Sequence, residues 1–84
     1  MGKAIIFYTS KDCALCNEVE IMAEEISEKT KIPLYKVDID ELPKKTKAPT
    51  TCVITIDGDL VKDNQCFEGW ENYENKLLEL LVRV

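Results

Sequence analysis

The sequence predicts an α/β fold that runs strand, helix, strand, short loop, strand, strand, helix. Three observations carry that expectation. Ala4, Ile5, Ile6, Phe7 and Tyr8 are apolar without alternation, as in a central strand buried on both faces. Leu15, Cys16, Val19, Met22, Ala23 and Ile26 then recur at helical spacing, with glutamates filling the positions between them. Finally, Asp57-Gly58 stands between two strand-like runs and marks a hairpin.

Each element can be justified in order. The first strand covers Lys3 to Thr9, and Ser10-Lys11-Asp12 is a loop of capping residues. The first helix is predicted to begin near Cys13 and to end by Thr30, before Pro33. Tyr35, Val37 and Ile39 alternate with Lys36, Asp38 and Asp40, which reads as a half-buried strand. Glu41 to Ala48, with Pro43 at its centre, is too short for more than a loop or one turn. Thr50 to Ile56 is β-branched and leads through Asp57-Gly58 into Leu60 to Phe67. Gly69 breaks the pattern, and Trp70, Tyr73, Leu77, Leu80, Leu81 and Val84 predict a closing helix. If Asp57-Gly58 is a two-residue turn, Cys52 faces Asp63, and Cys66 points to the opposite face. A one-residue bulge would bring Cys52 and Cys66 to the same face, so register decides whether they pair.

Composition narrows the function. Eighty-four residues, 45% apolar and 32% charged, suit one small folded domain spanning residues 1–84. A net charge of −5 makes nucleic acid an improbable partner, because phosphate binding rests on Lys and Arg. The longest apolar run, Ala4 to Tyr8, is far below a membrane span, and no segment reads as a signal peptide. A cytoplasmic location is therefore expected. With no histidine, the reactive inventory is the four cysteines.

Cys13-Ala14-Leu15-Cys16 stands between a buried strand and the first turn of a helix. Two intervening residues let one helical turn bring the sulfurs within disulfide range. At the helix start, unpaired N–H groups and the helix dipole favour a Cys13 thiolate, while Cys16 sits one turn in, on the apolar side. That asymmetry suits a nucleophile and a resolving thiol. The rival readings are a metal site built from Cys13, Cys16, Cys52 and Cys66, or an interaction module with an unreactive Cys13. The later cysteines lack the close spacing of a zinc ribbon, so no resident metal and no cofactor are expected.

The segment Ile5 to Cys16 resembles the opening of glutaredoxins and of small glutaredoxin-like thioredoxins. Ala48-Pro49-Thr50 resembles the cis-proline element of the thioredoxin superfamily, and Gly69 fits the loop bordering the family's active site. The resemblance implies a thioredoxin-like four-stranded mixed sheet, from which the chain departs in that Glu41 to Ala48 leaves the second helix lost or reduced to one turn. It further implies a protein-disulfide reductase or electron donor, with Cys13 and Cys16 catalytic and Ala48, Pro49 and Gly69 binding substrate. The implied partners are disulfide-containing proteins and a reductase such as thioredoxin reductase.

Some positions depart from the family pattern. Glutathione-using glutaredoxins carry Thr-Val-Pro and Gly-Gly-acidic elements, where this chain has Lys47-Ala48-Pro49 and Glu68-Gly69-Trp70-Glu71. Glutathione is thus expected to be a poor reductant. Thioredoxins have Trp before the first Cys and a buried Asp in the central strand, where this chain has Asp12 and residues such as Phe7. Lys11 favours the Cys13 thiolate and Asp12 opposes it. The loop lysines Lys44, Lys45 and Lys47 run across the Cys13 end, with Lys47 a further candidate for stabilising the thiolate. Losing the second helix leaves one sheet face bare, and Lys36, Asp38, Thr51 and Thr55 are expected to flank it. A narrow apolar stripe with polar flanks predicts a monomer.

Overall fold

The computed structural model describes residues 2–43 and 47–83. Lys44 and Lys45 lie outside the described residues, as does Val84. The elements are β1 (Gly2–Thr9), α1 (Cys16–Thr30), β2 (Leu34–Asp38), a 3-10 turn (Ile39–Glu41), β3 (Thr50–Asp57), β4 (Leu60–Glu68) and α2 (Tyr73–Arg83). The sheet order is β2-β1-β3-β4, with β1 and β2 parallel and the other neighbours antiparallel. This is the expected mixed sheet. The 3-10 turn stands in the connection where a second helix had been expected to be lost or reduced.

Ile5 and Phe7 of β1 and Val53 of β3 pack against Cys16, Val19, Ala23 and Ile26 of α1 and against Tyr73, Leu77 and Leu81 of α2. Both helices therefore cover one face of the sheet. α1 starts three residues later than the sequence suggested, because Cys13 closes a turn first. Its N–H donates to the Ser10 carbonyl at 3.2 Å. α1 ends at Lys31, whose φ of 63° is left-handed, and Thr30 Oγ1 donates back to the Ile26 carbonyl at 2.7 Å. Trp70 is not part of α2. It is half-exposed in the turn before it, and Asn72 with φ 54° leads into the helix.

Strand register corrects the expected flanks of the bare face. Thr51, Val53 and Thr55 alternate onto the helix side, where Thr51 is fully buried. Lys36 is on that side too, reaching Glu20 at 3.6 Å and Glu24 at 3.7 Å on α1. The opposite face instead carries Ala4, Ile6 and Tyr8 of β1, Tyr35 and Val37 of β2, and Cys52 and Ile54 of β3. The apolar side of β2 had been assigned to the core. On this edge strand the long Lys36 stem instead crosses to the glutamates of α1.

Candidate redox site

One end of the sheet gathers the chemistry. Thr9 pairs with Asp38 on one side, and Tyr8 pairs with Thr50 on the other. The residues after β1, after β2 and before β3 therefore emerge together: the Cys13 loop, the 3-10 turn and Ala48-Pro49. Cys13 and Cys16 are disulfide-bonded with Cα atoms 5.4 Å apart. Cys16 is 2% exposed within the helix-side core, whereas Cys13 is half-buried at its edge. Leu15 occupies the N-cap of α1 and offers no side-chain bond to it. The Cys16 N–H donates to the Cys13 carbonyl at 3.4 Å, and the positive end of the helix dipole faces the Cys13 loop.

Asp40 holds this loop, and sequence reasoning missed it. Its carboxylate accepts from Ser10 Oγ at 3.2 Å and from the Lys11 N–H at 3.3 Å. Asp40 is itself fixed because its N–H donates to Asp38 Oδ1 at 2.9 Å. Ser10 Oγ then accepts from the Asp12 N–H at 3.3 Å, completing the turn into Cys13. The only sequence signal was an Asp-x-Asp at a strand end, which also reads as a solvated edge.

Ala48 packs against the same core cluster as Cys13. The Ala48–Pro49 peptide bond is cis and Pro49 is buried. The Pro49 carbonyl accepts from the Gly69 N–H at 2.9 Å, so the β3–β4 ladder continues one step past Glu68 to join these two residues. Gly69 has φ 86°, a conformation that side-chain-bearing residues rarely adopt. Next to it, Glu68, Gly69, Trp70, Glu71 and Lys76 line a shallow cleft of about 200 Å³.

The two candidate lysines differ in setting. Lys47 Nζ lies 3.8 Å from Glu68 Oε2, with both side chains largely exposed, so this pair adds little stability. Lys11 is exposed, and it is its backbone N–H that bonds Asp40. Under the site, Tyr73 OH and Thr51 Oγ1 share a hydrogen bond of 2.8 Å. Burial pushes the Tyr73 phenol up to about 12, with the Thr51 bond pulling the other way.

Cys52 and Cys66 form a second disulfide, with Cα atoms 4.0 Å apart. The turn is centred on Gly58-Asp59, one residue later than expected, and pairs Asp57 with Leu60. Between Thr55↔Asp63 and Ile56↔Val61 the register shifts, leaving Lys62 as a bulge. Together these changes set Cys66 directly opposite Cys52. The four sulfurs do not converge. Cys16 is in the helix-side core and Cys52 projects from the other face, so a metal site drawn from both pairs is not formed. Among the described residues no group of three or more Cys, Asp or Glu side chains is arranged to hold an ion.

No protein-family model matches the sequence, and no curated protein does. Solved structures do resemble it. A thioredoxin from Trichomonas vaginalis superposes with a TM-score of 0.75 at 18% identity, over 99% of this chain and 80% of that one. The thioredoxin of Fasciola hepatica gives 0.71 at 21% identity, over 98% and 80%. Thioredoxin 1 of Thermosipho africanus gives 0.67 at 16% identity, over 95% and 91%. At these identities the likeness speaks for the backbone architecture. The chain has the thioredoxin fold.

Proposed function

We propose that this protein is a thiol–disulfide oxidoreductase that reduces protein disulfides through Cys13 and Cys16. The observation that carries the reading is the unequal burial of the pair, Cys13 half-buried and Cys16 only 2% exposed, beside the bonded Pro49–Gly69 lip. Cys13, as thiolate, attacks the substrate disulfide and forms a mixed disulfide, releasing the substrate's other sulfur. Cys16 then attacks Cys13 Sγ, freeing the reduced substrate and leaving the Cys13–Cys16 disulfide. The uncapped N-terminus of α1 favours the Cys13 thiolate, and Lys11 and Lys47 add positive charge on this side.

Substrate enters as an extended segment against Ala48, Pro49 and Gly69. The enzyme is returned to its dithiol by a reductase of the thioredoxin-reductase type. Glutathione is the poorer donor, because the chain lacks the elements with which glutaredoxins hold it. A fold that neighbours several thioredoxins supports the reading.

The test is trapping. Cys16→Ser should accumulate a mixed disulfide at Cys13 with a disulfide-bonded protein substrate. Cys13→Ser should remain folded and reduce that substrate no faster than buffer. Alkylation of the reduced wild type at neutral pH should reach Cys13 well before Cys16, and the reverse order would overturn the roles.

A further inference from the structure

The mechanism above leaves one pair of reactive groups unused. Cys52 and Cys66 lie on the bare face of the sheet, one sulfur on the inner strand β3 and one on the edge strand β4. Their burial is as unequal as that of Cys13 and Cys16: Cys52 is 3% exposed, and Cys66 is exposed. A disulfide meant only to staple a hairpin does not need one sulfur open to solvent.

We propose that Cys52–Cys66 is a second thiol–disulfide exchange site, and that incoming thiols attack it at Cys66. Three observations support this. First, β4 is an edge strand, and nothing among the described residues covers Cys66, so a thiolate can approach its Sγ opposite the Cys52 sulfur. Second, Cys66 Sγ lies 3.4 Å from Asn64 Oδ1, an acceptor placed to take the Cys66 S–H once the pair is reduced. Third, Ile6 sits directly beside Cys52 on β1, and Thr50 and Ile54 lie next along its own strand face. This setting shields Cys52 from an external nucleophile and favours its neutral thiol once released.

The exchange balances as follows. A thiolate forms a bond to Cys66 Sγ as the Sγ–Sγ bond breaks, and Cys52 leaves and takes a proton from solvent. The second thiol of the incoming dithiol then attacks the mixed disulfide. Cys66 is released, and the dithiol departs oxidised, having supplied both electrons. Because the two cysteine pairs lie on opposite faces, electrons do not pass directly between them, and the second site exchanges with external dithiols or small thiols such as glutathione. Among the described residues no helix N-terminus points at it, and the next side chain on its face is Glu68, whose carboxylate is paired with Lys47. It is therefore the slower of the two sites.

The Cys13→Ser/Cys16→Ser protein isolates this site. Equilibrated with ratios of reduced to oxidised dithiothreitol and trapped by alkylation, it should pass reversibly from no labels to two labels while its far-ultraviolet circular dichroism stays native. With Cys52→Ser added, glutathione disulfide should modify Cys66. With Cys66→Ser added instead, modification of Cys52 should be slower by roughly tenfold or more. If a hairpin variant fails to fold, peptide mapping of partially reduced, alkylated wild type reads the same order of labelling. A pair that stays oxidised until the protein is denatured, or Cys52 labelling as fast as Cys66, would overturn the proposal. Because the first site is removed, neither result bears on the activity proposed for Cys13 and Cys16.

Discussion

Tyr73 joins the core to the site through one hydroxyl, and its chemistry gives a pH signature. Its phenol is raised from 10.0 to about 12 by burial, so the folded state holds the proton more tightly than the unfolded chain does. The stability this contributes is complete below pH 10 and is lost as the pH rises from 10 toward 12. Tyr73→Phe should flatten that part of a stability–pH curve measured by urea unfolding. At neutral pH it should cost about 1–2 kcal/mol, because it leaves the buried Thr51 hydroxyl without its partner. At Asp40 the expected loss is of a different kind. Asp40→Ala removes the acceptor for Ser10 and Lys11, so the stability cost should stay near 1 kcal/mol for these exposed bonds. Its larger effect should be on the rate of Cys13 alkylation, since the loop carrying that sulfur loses its tether. Gly69→Ala forces a side chain into φ 86° and should destabilise by about 1 kcal/mol in thermal melts.

Among the elements, the β3–β4 hairpin absorbs a single extra residue. Deleting Lys62 removes the bulge and lets Asp63 follow Val61 directly, so Thr55 still faces Asp63 and Cys66 still faces Cys52 in a regular ladder. Both cysteines should therefore stay disulfide-bonded and take up no alkylating label without a reductant, as mass spectrometry would show; labelling of both would mean that the strand slips instead. This hairpin also marks where the sequence stops being readable. β1, α1 and α2 were legible because an uninterrupted apolar run and helical periodicity each have one physical explanation. The Cys13/Cys16 pair was legible from its spacing, and the Pro49–Gly69 lip only through resemblance. A bulge leaves no comparable trace. Lys62 suits a bulge and a regular strand equally, so the pairing of Cys52 with Cys66 could not be chosen. Edge strands mislead in another way. The alternation in β2 was correct, but which side faced the core depended on where Glu20 and Glu24 of α1 came to lie across the strand.

At the scale of the whole molecule, a small core makes the second disulfide matter more than the first. Cys52–Cys66 spans a sequence separation of 14, against 3 for Cys13–Cys16. Longer loops lose more unfolded-state entropy on closure, so the hairpin link should contribute about 3 kcal/mol in the loop-entropy picture. A Cys52→Ala/Cys66→Ala protein should melt on the order of 10–20 °C below the wild type under non-reducing conditions. The Cys13→Ala/Cys16→Ala protein should lose less. Equal losses in the two proteins would show that packing around Cys16, rather than loop closure, sets the scale.

The strand order has a consequence for how the chain is made. β1 lies between β2 and β3, and Lys3 Nζ donates to the Leu81 carbonyl at 2.6 Å across nearly the full length of the sequence. β1 is thus paired on both edges only once β3 is present, and its Lys3 bond waits for α2. Contacts of such long sequence separation slow folding, because the loops between them must close before any burial rewards them. A ribosome-bound chain lacking α2 has Ile5, Phe7 and Val53 without the Tyr73, Leu77 and Leu81 that cover them in the finished protein. Folding therefore completes only once α2 is available, and intermediates without it expose an apolar sheet face that a holding chaperone would bind.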